Sequence, residues 1–260
     1  MSLAIPQGEW TPEHSVPSDW VATLGLAGAG LFAAGFLFLL LRALAQRARY
    51  RATQALGAAE RAELAAEIAR AEEKTIGEIV VVVLERSDRH PAAEWLAGAL
   101  ALVVGSVLLA GWLPWDRPAL FFACQLALGA AGFLAARTVP GFKRVFVSED
   151  RADEVAGEQA VQEFHAHGLH RTQAATGVLL FVSLLERRVV VLGDAGIDAK
   201  LDASYWEATD AAVLEGVRAG SLLRGLEAGV RRCAEVLAEH FPRTADDRDE
   251  IPNHVVVRRE

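Results

Sequence analysis

Three aspartates at four-residue spacing, Asp194, Asp198 and Asp202 in "GDAGIDAKLD", are the residues of this 260-residue sequence whose type and spacing most invite chemistry. They follow an apolar run, Val189 to Leu192, that reads as a strand, and they precede a helical pattern. If that strand is central, the loop lies beyond its end, where ligands of open α/β sheets bind. Gly193 and Gly196 let the backbone turn, so that carboxylates and carbonyls can face one point, and such oxygen ligands suit a hard cation. Asp194, Asp198 and Asp202 are therefore the candidate metal ligands, and Ca2+ is the candidate cofactor. The spacing is not that of an EF-hand loop, whose ligands alternate every second residue, and Lys200 adds a competing positive charge. The commoner reading of such residues is solvated loop carboxylates, one of them a helix cap.

A second cluster, His165, His167 and His170 in "HAHGLHRT", has the right residue type for a transition metal. Positions two apart on a helix point to nearly opposite sides, so His165 and His167 converge only if the helix has already ended. Histidines in a last helical turn more often complement the negative end of the helix dipole. No nucleophile elbow, Walker loop, Cys-x5-Arg phosphate loop or Asp-x-Asp pair is present, and no basic nucleic-acid footprint is visible. No catalytic residue is assigned. The two cysteines, Cys124 and Cys233, fall in an apolar span and a late helix, which makes a disulfide between them implausible.

The elements that must position these residues divide between sheet and membrane. Hydrophobic residues make up 52% of the chain and charged ones 23%, so the apolar residues must be segregated. Residues 21–41, 95–113 and 119–136 are each free of charge, and each is near the about 20 residues that cross a bilayer as a helix. Residues 1–20 contain no Lys or Arg, whereas Arg42, Arg47, Arg49 and Arg51 follow the first span, which argues against a signal peptide. Arg137, Lys143 and Arg144 follow the third span. By the positive-inside rule residues 1–20 lie outside and the soluble segments are cytoplasmic, with Trp95, Trp112 and Trp115 in an interfacial belt. The net charge of −8 is compatible with this, because the basic residues cluster beside the spans. Small residues recur at four-residue spacing in the spans: Gly25, Ala29 and Ala33; Ala97, Ala101 and Gly105; Ala127, Ala131 and Ala135.

"IVVVVL", residues 79–84, reads as a strand buried on both faces and needs partners. Residues 178–184 and 189–192 supply them as a hairpin joined by a polar turn at Glu186 and Arg187. The membrane hairpin is then an insertion within one domain, whose first part is residues 53–94 and second part residues 142–242, followed by a polar tail, 243–260, in which Val255 to Val257 form an edge strand. Helices flank the sheet: one carries Leu64, Ile68 and Ala71 on a stripe, one opens on Ser148, one opens on a capping box of Ser204 and Glu207, and one opens on Ser221 and carries Leu223, Leu226, Val230, Cys233 and Leu237.

"AEEKTIGEIVVVV", the membrane hairpin, "FHAHGLHRTQAATGVLLFVSLLERRVVVLGDAGI" and "LLRGLEAGVRRCAEVLAEHFP" together resemble bacterial membrane proteins carrying a TPM domain, over residues 58–252. The resemblance implies a small α/β/α sandwich, here interrupted by a transmembrane helical hairpin and preceded by an N-terminal transmembrane helix that the common arrangement lacks. It also implies an acidic calcium site, a weak acid-phosphatase activity, and roles in assembly, repair or regulation of membrane complexes. Where many members have Gly-Asp between the last two helices, this chain has Gly220 and Ser221, so one carboxylate is gone. The expected function is that of a non-enzymatic interaction, assembly or maintenance factor in the bacterial inner membrane, whose partners are the bilayer and other membrane proteins. The alternative is a divalent-metal-assisted phosphatase.

Overall fold

Every residue of β1 (Glu78–Leu84) and β2 (Gly177–Ser183) is buried, as an uninterrupted aliphatic run requires. A computed structural model describes residues 18–111, 113, 117–201, 203–244, 250–252 and 255–259 of the chain, and in it these two strands pair in parallel, Ile79 beside Val178 and Leu84 beside Ser183. β3 (Arg188–Gly193) runs antiparallel along the far side of β2, and β4 (Val255–Arg258) runs parallel along β1. The order is β3-β2-β1-β4, which makes β3 an edge strand and not the central one that the acidic-loop reading assumed.

Alternation along the strands divides the core into two layers. Val81, Val83 and Leu180 face a layer made by α3 (Ala58–Glu72), α9 (Ala203–Arg218) and α10 (Leu222–His240) through Leu64, Ile68, Val213, Leu226, Val230 and Leu237. Val80, Val82, Leu179 and Phe181 face α7 (Glu149–Ala166) through Ala156, Ala160 and Phe164. The fold is thus an α/β/α sandwich. Its caps follow the sequence: Ser148 accepts from Arg151 N at 3.3 Å, and Ser221 accepts from Arg224 N at 3.2 Å. α9 departs from it: the helix already begins at Ala203, so Ser204 lies within its first turn and is not its N-cap.

The crossover from β1 to β2 passes through α4 (Pro91–Ala110) and α5 (Pro118–Thr138) before reaching α7. α4 and α5 are the two helices among the described residues that are long and apolar enough to cross a membrane. They pack through small residues, but not through the ribbon the spacing suggested on α5: Ala127 and Ala131 are exposed, and Gly129 and Gly132 face α4 instead. A Cβ on Gly132 would stand 2.6 Å from Ala101 Cβ and 2.7 Å from Ala97 O, so the close approach requires glycine. α1 (Ser18–Ala45) packs its end on the short helix α6 (Pro140–Lys143), where Gly141 meets Ala43. Side chains at Gly25, Ala29 and Ala33, and residues Trp112 and Trp115, lie outside what is described.

Candidate functional site

The two ends of the sheet carry different polar groups. β3 runs against β1 and β2, so the loop after it sits at the N-terminal ends of the parallel pair, opposite the end where the hairpin leaves. Asp194 caps the single-turn helix α8 (Ala195–Asp198): its Oδ1 accepts from Ala195 N at 2.8 Å. Its Oδ2 is buried and has no hydrogen-bond partner among the described residues. Asp198 is exposed, at the end of α8, and Asp202 lies outside the described residues. Neither Gly193 nor Gly196 has a positive φ, so the turn does not demand glycine as the sequence reading assumed; Gly193 is needed for packing instead, because a Cβ there would stand 2.9 Å from Trp206 and 3.2 Å from Asp198 Oδ1. Gly196 likewise lies under the carbonyls of Ala174 and Ala175. Among the described residues no three His, Cys, Asp or Glu side chains gather as metal ligands would.

The histidines do not converge either. His165 bonds Val161 O through Nδ1 at 2.8 Å and stacks on His170, with ring centroids 5.0 Å apart. His167 turns the other way, its Nε2 3.3 Å from Glu163. That divergence is what two-residue spacing on a helix dictates.

The C-terminal ends of β1 and β2 hold the group that sequence reasoning missed. Glu186, in the β2–β3 turn, is fully buried. Its Oε1 lies 2.6 Å from His90 Nε2, Ser183 Oγ donates to Oε2, and the backbone N–H groups of Ser87 and Asp88 donate at 3.2 and 3.4 Å. Burial alone would raise its pKa, but the bonds from His90, Ser183 and Ser87 outweigh it and hold the carboxyl below its ordinary value. His90 caps α4 in the left-handed conformation, φ 49°, and its Nδ1 lies 3.7 Å from Asp88, which also meets Arg151. Beside it the buried Lys143 ammonium binds Glu94 at 2.6 Å and Arg89 O at 2.8 Å.

Ser183 donates to the carboxylate and not to the imidazole, so the array does not have the serine–histidine–carboxylate order of a nucleophilic triad. Instead two segments remote in sequence, the β1–α4 loop with the His90 cap of α4 and the β2–β3 turn, are tied through one carboxylate. The signal available in the sequence was the Ser-x-x-Glu spacing at Ser183 and Glu186, which resembles an ordinary polar turn.

Residues 135–236 match the TPM domain. The matched span runs from the end of α5 to α10 and holds β2 and β3, while β1 and β4, which complete the sheet, lie outside it. No curated protein matches the chain. The NMR structure of the BA42 protein from the psychrophilic bacteria Bizionia argentinensis sp. nov. is similar at a TM-score of 0.49 and 20% identity, covering 77% of this chain and 94% of that one.

Proposed function

We propose that this chain is a membrane-anchored TPM-type domain that acts as a non-enzymatic interaction or assembly factor for other membrane proteins, its α/β/α body on the cytoplasmic side of a bacterial inner membrane. One observation carries the reading. A hairpin of membrane-crossing length interrupts the sheet between its two central strands, is tied to the end of the sheet by the Glu186–His90 pair, and has its two ends joined by Lys143–Glu94. A domain tied this way is held at a set height and angle to the bilayer, and surfaces held so meet other membrane proteins without an orientational search. The outer side of the hairpin, with Trp95, Leu96, Val103 and Val107 exposed, is available to lipid and to neighbouring spans.

Two measurements test it. Reporter fusions after residue 53 and at the C-terminus should both report cytoplasm, and opposite answers would break the split-domain topology. Affinity capture from gently solubilised membranes should return the same membrane proteins with the wild type and not with a Glu186→Ala variant.

The second reading, a divalent-metal-assisted phosphatase using Asp194, Asp198 and Asp202 with Ca2+ or another hard cation, has the unpartnered Oδ2 of Asp194 in its favour. Turnover of a generic phosphate ester that depends on divalent ions and is lost in Asp194→Ala would establish it in place of the first.

A further inference from the structure

Where α1 meets the α/β body, a cavity of about 380 Å³ opens between the end of α1, α6 and the β2–β3 turn. That volume lies in the range of small-ligand sites. Three arginines line it: Arg42, Arg144 and Arg187. Among the described residues no side chain pairs with Arg42, and the guanidinium Nε of Arg144 is buried without a hydrogen-bond partner. Arg187 is fixed by its bond to Tyr50 Oη at 2.6 Å and by stacking on that ring. The one carboxylate on the wall, Glu149, is shared, meeting Arg144 at 2.6 Å and Arg188 at 2.6 Å. The cavity therefore has an excess of positive charge and a donor already desolvated and unmatched, in a chain of net charge −8.

We infer that this cavity binds the headgroup phosphate of an anionic glycerophospholipid, an inference that rests on the membrane-anchored reading above. Guanidinium groups match phosphate oxygens in geometry and charge, and the buried Arg144 Nε supplies a donor with no acceptor among the described residues. Lipid fits better than a soluble anion because of position. Arg42 is the first charge after the uncharged residues 21–41, so the cavity lies at the level of the headgroups. Leu39, which lines the same cavity one turn deeper, is partly exposed, as is the neighbouring Phe38, and together they offer a path for an acyl chain beside the bound phosphate.

The test uses the full chain in detergent micelles, with thermal unfolding as the readout. Phosphatidylglycerol should raise the midpoint in a saturable way, while phosphatidylcholine and inorganic phosphate should not. Arg42→Gln breaks no side-chain hydrogen bond or ion pair among the described residues and should shift the lipid dependence to about five-fold higher concentration, the effect of losing about 1 kcal/mol per arginine. Arg51→Gln with Arg137→Gln, on the far side of Tyr50, should leave it in place. The proposal is overturned by an equal response to phosphatidylcholine, by an equal response to inorganic phosphate, by an unchanged response in Arg42→Gln, or by a response lost only in the Arg51/Arg137 variant. Carbonate extraction of the expressing cells' membranes reads the anchoring separately: a chain that stays in the pellet but ignores phosphatidylglycerol sinks this inference alone.

Discussion

The two ends of the sheet handle carboxylates in opposite ways. At the hairpin end Glu186 is fully buried, and both of its oxygens are engaged by a histidine, a serine and two backbone N–H groups. At the far end Asp198 stands in solvent, while Asp194 spends one oxygen on a single-turn helix and leaves the other unmatched. Burying a charge is costly unless it is paired and fully hydrogen-bonded, so a satisfied buried carboxylate marks a place where geometry is over-determined. That place is the junction between sheet and membrane hairpin. The difference teaches that conspicuous acidic residues need not be the ones that matter most to the architecture.

The largest effect that would break this contrast is at Glu186. Glu186→Ala leaves the buried His90 imidazole and the part-buried Ser87 and Asp88 N–H groups without their acceptor, and each such group left unsatisfied typically costs about 1–3 kcal/mol. Urea unfolding in detergent should show a loss of that order, and a loss under about 1 kcal/mol would mean the junction is not over-determined. The pH dependence follows from the depressed pKa. Because the folded-state value lies below the ordinary 4.5, the folded chain binds the Glu186 proton less readily than the unfolded one. Its contribution is therefore fully present above about pH 4.5 and is lost as pH falls through the folded value. Wild type should lose stability more steeply than Glu186→Gln in that acid range.

The next effect belongs to the far end, where α9 follows the acidic loop. Asp210 on that helix is half-buried, its Oδ1 has no hydrogen-bond partner among the described residues, and desolvation, with help from Glu207, raises its pKa to about 7. Here the sign reverses. The folded chain holds this proton more tightly than the unfolded one, so the Asp210 contribution to stability is greatest at low pH and declines as pH rises from about 4 to about 7. Asp210→Asn should therefore stabilise the chain at pH 8, on the order of 1 kcal/mol once solvent screening is allowed for. Little or no gain at pH 5 is expected, and an equal gain at both would remove the titration from the account. The same burial, with the Asp210 charge added, pushes the Cys233 thiol up to about 12, so Cys233 should stay unmodified by thiol reagents in the native state.

The fold was legible because its strands are composed so plainly. The aliphatic runs at 79–84 and 178–184 have no polar face, which forces burial on both sides, and the glycine and serine punctuation around α7 and α10 placed their caps correctly. Which helix covers which face was not legible, since the amphipathic stripes of α3, α7 and α10 look alike in sequence. The small-residue ribbon on α5 misled for a related reason: in so alanine-rich a span, four-residue spacing occurs on more than one face, and only the close approach to Ala97 and Ala101 selects Gly132. Strand order also lay beyond pattern reading, and it moved the acidic loop from the C-terminal to the N-terminal end of the parallel pair. Glu186 was hidden because burial of a turn residue depends on the His90 segment, 96 positions away.

The smallest effect tests that loop itself. Asp194→Ala removes the cap on Ala195 N, a loss of about 1 kcal/mol for an ordinary helix. α8 is only four residues long, and the substitution also removes an oxygen that is buried without a partner, so the two changes oppose one another. A net change within about 1 kcal/mol is therefore expected, well below that of Glu186→Ala. Calcium sharpens the comparison, because a cation that binds only the folded chain must raise its unfolding midpoint. If Asp194 and Asp198 are loop carboxylates, about millimolar Ca2+ leaves wild type and Asp194→Ala equally unmoved, which is the expected result. A rise in wild type that disappears in Asp194→Ala would show that the unmatched oxygen is a ligand position, and would make the far end of the sheet, rather than the membrane junction, the chemical centre of the chain.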